Sequence, residues 1–258
     1  MANGIDTLKN YIMNTPTDTP SVIAKANFNS LKANPYPGRG LVLGRDKSGK
    51  YLIQVYWIMG RSENSRNRVF SCEGGRVFTE PADPTKVKDP TLIIYNAMGE
   101  LEGSFTVSNG DQTDTALTNL LGCTSLYEAL VSREYEPDAP NYTPRITGHL
   151  TRNGQVELGI IKKSQVSARC DRIFYSYGDV PSGFGYYLTT YSGDGNPLPS
   201  FEGAPLLLPI NGGTPATVGG IFWSMLNEAN RVSLAVKFID EAGVSTVSLI
   251  NRYEKVTS

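Results

Sequence analysis

Four short stretches gather side chains able to handle a small anionic substrate. GRSENSRNR sets Arg61, Arg66 and Arg68 just behind an apolar run. Guanidinium forks at a strand end suit bidentate capture of a phosphate, with Ser62, Asn64 and Ser65 as further donors; the same residues can also form a solvated loop. TLIIYNAMGE ends an apolar run on Tyr95 and Asn96, a phenol beside an amide where core residues are the rule. VSNGDQTDT puts Ser108, Asn109 and Gly110 between a predicted strand and a predicted helix. Backbone N–H groups at a helix start, with glycine allowing close approach, can hold an anion or a carbonyl oxygen, or simply make a capped turn. REYEPDAPNYTPRITG carries Tyr135, Glu136, Asp138, Asn141, Tyr142 and Arg145, stiffened by Pro137, Pro140 and Pro144. So polar a crossover is either a surface loop or the wall of a site.

Other chemistries find little footing. The single histidine, His149, lies in the predicted strand ITGHLT, where a histidine is more often a hydrogen-bonded neighbour than a general base. Cys72, Cys123 and Cys170 have no paired spacing, which fits neither a zinc site nor a disulfide framework and suits a reducing cytosol. There is no phosphate-binding GxxxxGK[ST] loop and no GxGxxG between strand and helix. No metal and no bound cofactor is therefore expected. A net charge of −1 supplies no field to steer a polyanion, so nucleic acid is not the expected partner. No basic leader precedes an apolar stretch, and no uncharged run reaches the roughly 18 residues that a membrane helix needs, so a cytoplasmic protein is expected.

The elements that must position these residues are mostly strands. At 258 residues and 40% apolar content, one hydrophobic core can serve the chain. GLVLGR and YLIQVYWIMG flank the turn DKSGK as a β-hairpin. Further strands are predicted at 69–73, 91–97, 103–108, 144–151, 155–162, 171–177, 185–191, 231–239 and 243–250. Helices are predicted at 112–121, 125–134 and 215–228. Asp111 or Thr113 offers a cap for the first, and Ser125 with Glu128 a capping box for the second. Ahead of the proline-rich NPYPGRG, a helical preface is expected: a turn capped by Asp6 and carrying Leu8, Tyr11 and Ile12, then a helix capped by Ser21 with Val22, Ile23 and Ala26 on its apolar face. Strand runs interrupted by helix pairs suggest stacked sheets covered by helices.

Taken in order, GRSENSRNR, IIYNAMGE, VSNGDQTDT and EYEPDAPNYTPRI resemble the motifs of the archaeal-type IMP cyclohydrolases, which run SSRSFPNR, IAYN, VSNGxxTDT and DYExDxxNTPRI. The resemblance extends from about Gly38 to at least Lys163 and fades in the C-terminal third. The chain departs from the pattern in a preface of nearly forty residues, two residues inserted in the arginine segment, and Tyr142 set before Thr143 and Pro144. Asn67 and Arg68 keep the NR ending, which favours Arg68 over Arg66 as the family's second arginine. The resemblance implies an α+β fold, a four-layer αββα sandwich similar to N-terminal nucleophile hydrolases. It divides the chain into a helical extension over 1–37 and a catalytic-type domain over 38–258.

It also implies a reaction. In this family the carboxamide nitrogen of 5-formamidoimidazole-4-carboxamide ribonucleotide attacks the formyl carbon and water leaves, giving inosine monophosphate. On that pattern Arg68, aided by Arg61, binds the phosphate or polarises a carbonyl, Tyr95 donates to the formyl oxyanion, and Glu136 accepts the carboxamide proton. Asn109 and Asn141 orient the carboxamide, Arg145 holds the Glu136 loop or a phosphate oxygen, and Arg66, Asn96, Ser108 and Gly110 complete the substrate contacts. A purine ribonucleotide is the expected partner and a homo-oligomer the expected assembly. The alternatives are related amide chemistry on another purine or imidazole nucleotide, since fold alone does not set substrate, and a nucleotide-binding member without turnover.

Overall fold

The computed structural model describes residues 20–87, 90, 92–123 and 125–255; the turn expected at Asp6 to Ile12 lies outside them. The elements are α1 (Pro20–Ala33), β1 (Gly40–Arg45), β2 (Leu52–Met59), α2 (Glu63–Arg66), β3 (Val69–Glu73), β4 (Arg76–Glu80), β5 (Asn96–Leu101) and β6 (Ser104–Ser108). After them come α3 (Gln112–Leu120), α4 (Leu126–Leu130), β7 (Arg145–Thr151), β8 (Val156–Lys163), β9 (Cys170–Tyr177), β10 (Phe184–Thr189), β11 (Leu206–Pro209), α5 (Pro215–Met225), β12 (Arg231–Ile239) and β13 (Ser245–Asn251). The strands form two antiparallel sheets. One runs β11-β10-β1-β2-β12-β13, the other β3-β4-β5-β6-β7-β8-β9.

Strand alternation explains how the sheets stack. Successive side chains of a strand point to opposite faces, and every residue of β2 is buried, so both of its faces must be covered. Leu52, Tyr56 and Ile58 enter the core between the sheets, with Leu41, Leu43, Phe105, Val107 and Leu150. Ile53, Val55, Trp57 and Met59 face the opposite way, into a second core with Leu31, Val218 and Phe222 of α1 and α5. A third, smaller core joins Ala116, Leu126 and Leu130 of α3 and α4 to Ile161 on the far side of the second sheet. The layers therefore run α, β, β, α. The hairpin forms where DKSGK predicts it: the Asp46 carboxylate accepts from the N–H groups of Ser48 and Tyr51, and Gly49 takes the positive φ of 75° that the turn needs.

Several expectations need correction. In α1 the buried residues are Ala24 and Leu31, while Val22 and Ile23 are exposed. The helix is turned by its contact with β11, which the Asn27 amide fastens by donating to the Leu207 carbonyl. The strand expected over 91–97 starts only at Asn96, because the N–H groups of Ile93 and Ile94 fold back onto the Pro90 carbonyl. α4 stops at Leu130 rather than residue 134, and α5 at Met225 rather than residue 228. Asp111 precedes α3 without making a side-chain cap. Ser125 does cap α4, its hydroxyl accepting from the Glu128 N–H. Charged ends hide β4, and β11 is only four residues long and ends on proline.

Candidate functional site

At one end of the sandwich, segments from both sheets deliver polar side chains into the space between them. Arg68 arrives just ahead of β3. The preceding arginine segment winds into α2, where Ser62 and Ser65 cap each other's backbone. Asn67 pins the following turn by donating to the Asp83 carbonyl at 2.8 Å and accepting from the Asp83 N–H at 2.7 Å. Arg68 then turns inward and is only 3% exposed. Tyr95, at the mouth of β5, is held through its backbone N–H, which donates to Thr79 Oγ1 at 3.0 Å.

Glu136 hangs from the loop between α4 and β7. Its N–H donates to the Thr143 carbonyl, and Asp138 organises the loop between by accepting from the Thr143 N–H at 2.6 Å. Tyr142 reaches a positive φ of 46° there. Asn109 meets Glu136 from β6. Its Oδ1 accepts from the Ile146 N–H at 2.7 Å and from Gln112 Nε2 at 3.0 Å, leaving Nδ2 to donate to the Pro144 carbonyl at 2.9 Å and to Glu136 Oε1 at 3.3 Å. Ser108 lies beneath, its hydroxyl donating to the Gly110 carbonyl.

Three members of the cluster carry no motif. Arg39 lies between α1 and β1, its Nη2 3.9 Å from Glu136 Oε2. Gly38 has a φ of +73°, and a Cβ at Gly40 would stand 2.0 Å from the Trp57 ring, so the two glycines framing Arg39 were the available signal. Tyr56 projects from β2, and its hydroxyl lies 2.8 Å from that of Tyr95. Tyr191 follows β10 and shares a 2.6 Å hydrogen bond with Thr143 Oγ1. Polar residues on apolar strands read as core, which is why both phenols escape a reading by motif.

The electrostatics are unusual for so dry a place. Burial pushes the Glu136 carboxyl above the ordinary glutamate range despite the nearby charges of Arg39, Arg145 and Arg68. Burial, then the like charge of Arg39, holds the Arg68 guanidinium below its usual value. For Arg39, burial acts downward but the charge of Glu136 and the surrounding phenols outweighs it. Burial lifts Tyr191 to about 12 and raises Tyr56 well above the usual phenol range. Arg39 Nε, Arg68 Nε and Arg68 Nη1 are buried with no hydrogen-bond partner among the described residues.

The remaining expected site residues lie around this cluster rather than in it. Arg145 donates to Asp111 Oδ1 at 2.8 Å, to Gln112 Oε1 at 2.7 Å and to the Glu134 carbonyl, beside Gly110. Asn141 accepts from the Leu198 N–H. Asn96 donates to Asp114 on α3. Arg66 donates to the Gly60 carbonyl at 2.9 Å, and Arg61 is exposed, paired with Asp194 over the Tyr36 ring. His149 lies on the other face of its sheet. Its Nδ1 is 3.0 Å from Glu157 and its Nε2 3.3 Å from Ser104 Oγ, and Glu157 also accepts from the first N–H of α4. A surface hollow of about 550 Å³, walled by Asn34, Tyr187, Thr189 and Phe201, has Tyr191 on its inner side.

A buried carboxyl, two guanidiniums and three phenols can bind an oxygen-rich group and move a proton beside it. In comparison with known families, the model described as IMP cyclohydrolase-like protein matches residues 36–243. No curated protein matches the chain.

Proposed function

The chain belongs to the IMP cyclohydrolase-like family, and from that membership we propose that it closes the second purine ring, turning 5-formamidoimidazole-4-carboxamide ribonucleotide into inosine monophosphate and water. The observation that carries this reading is that Arg68, far in sequence from Tyr95 and Glu136, lies buried within electrostatic reach of both. Their polar neighbours lie at 2.8 Å for the Tyr95 phenol and 3.3 Å for Glu136.

Both reacting groups belong to one imidazole, so holding them in an attack geometry supplies much of the acceleration; well-aligned intramolecular reactions gain roughly 7–11 kcal/mol this way. The carboxamide nitrogen forms its bond to the formyl carbon while Glu136 takes one of its protons. The formyl oxygen, momentarily an oxyanion, is met by Tyr95 and the Arg68 guanidinium. That oxygen leaves as water, carrying the proton taken from the carboxamide and one from the formamido nitrogen. A carboxyl raised by burial suits proton transfer near neutrality. Asn109, fixed at its oxygen end, aims its amide hydrogen at Glu136 and orients the base. The cytoplasmic setting and the homo-oligomer belong to the same proposal. No helix among the described residues is long and apolar enough to cross a membrane.

An absorbance assay for ring closure tests the reading. Turnover by the wild type that drops about a hundredfold in Tyr95→Phe supports it. A wild type that binds inosine monophosphate in a calorimeter yet closes no ring would make the protein a binding member instead.

A further inference from the structure

Tyr56 comes from the middle of β2, carries no motif and is fully buried, its ring 5.6 Å from that of Phe70. Among the described residues, its hydroxyl and that of Tyr95 are hydrogen-bonded only to each other. Two hydroxyls sharing one hydrogen bond leave one hydrogen over. If Tyr95 donated, that spare hydrogen would sit on Tyr56, sealed inside the core. If Tyr56 donates, it sits on Tyr95, at the strand mouth within electrostatic reach of Arg68 and Arg39. The guanidiniums on either side have no lone pair to offer, and the cluster's orphaned atoms, Arg39 Nε, Arg68 Nε and Arg68 Nη1, are all donors. The Glu136 carboxylate accepts hydrogens here, but the cluster's unpartnered arginine atoms only give them.

We propose, resting on the ring-closing reading, that Tyr56 is a positioning residue. It donates to Tyr95 so that the Tyr95 hydrogen faces the substrate, and the group this face receives is an oxygen acting only as acceptor, the formyl oxygen on its way to an oxyanion. A phenol that already accepts one hydrogen bond donates a stronger one, so Tyr56 acts on the reacting atoms through Tyr95 without touching them.

A double-mutant cycle tests this, with kcat, KM and inosine monophosphate affinity measured for wild type, Tyr56→Phe, Tyr95→Phe and the double variant. Tyr56→Phe is expected to lower kcat about tenfold with KM within about twofold. The double variant is expected to be no slower than Tyr95→Phe alone, since a residue acting through another loses its effect when that other is gone. Losses that multiply in the double variant, or a Tyr56→Phe enzyme with raised KM and full kcat, would overturn the proposal by making Tyr56 a packing residue. Should Tyr56→Phe fold poorly, 3-fluorotyrosine placed at position 56 keeps the ring and is a stronger donor. It is expected to hold kcat at or above the wild-type value, and a fall would count against the assigned direction. If the wild type binds inosine monophosphate without turnover, the ring-closing reading fails while the same non-additivity is still expected in the affinities, and additive affinities then sink this inference separately. A wild type that neither binds nor turns over removes both.

Discussion

Arg39 and Arg68 place two like charges in a dry space with one carboxylate between them, an arrangement that packing alone does not favour. On the proposed reading, a ligand supplies the acceptors that the arginines lack. Arg68→Met is therefore expected to melt no lower than the wild type without ligand, while its affinity for inosine monophosphate falls about a hundredfold. A melting temperature several degrees lower would mark Arg68 as a structural residue. As the proposed base, Glu136 must be ionised, and burial raises its carboxyl, so the acid limb of kcat is expected above the roughly 4.3 of an ordinary glutamate. Glu136→Gln is expected to abolish that limb and cost about a hundredfold or more in kcat; a limb unchanged in the variant assigns it elsewhere. At this scale short ordered motifs in the sequence single out Arg68, Tyr95, Asn109 and Glu136, which the fold gathers in one buried cluster. Arg39, Tyr56 and Tyr191 join the cluster only through the packing of the two sheets, and apart from the glycines framing Arg39 no local spacing records that.

The elements owe their placement to loops as much as to strands. Asp111 illustrates this: instead of capping α3, its carboxylate ties Arg133, beyond α4, to Arg145 at the start of β7, next to the loop that carries Glu136. Burial alone would raise this carboxyl, but the hydrogen bond from Arg133 and the charges of both arginines hold it below the usual 3.8. A depressed carboxyl stabilises the fold above its unfolded value and loses that contribution as pH falls through the folded one. Asp111→Asn is accordingly expected to lower unfolding free energy by about 1 kcal/mol at pH 7, kept small because the carboxylate is half exposed. The difference should close in denaturant titrations at acid pH, and a gap that persists there would show that charge is not what Asp111 contributes. The β1–β2 hairpin was legible because Asp46 and Gly49 make its turn unambiguous. The face of α1 was not, because four of its apolar residues, Val22, Ile23, Phe28 and Leu31, admit more than one buried stripe and only contact with β11 selects between them.

Across the whole molecule, the two-sheet sandwich brings segments scattered along the chain into one buried polar cluster. The expectation of stacked sheets under helices rested on strand runs alternating with helix pairs, and three cores separated by strand alternation realise it. Because the cluster holds unmatched donors on Arg39 and Arg68, ligand binding should be felt globally. At a hundred times its Kd, inosine monophosphate is expected to add about 2.7 kcal/mol of stability, read as a rise of about 5–10 °C in melting temperature.

The most direct test is diffraction from crystals grown with inosine monophosphate. The purine is expected between the sheets, with ring or exocyclic atoms within about 3.2 Å of Arg68, Tyr95 and Glu136. A nucleotide held on an outer surface, with those three side chains still facing only one another, would contradict the ring-closing site.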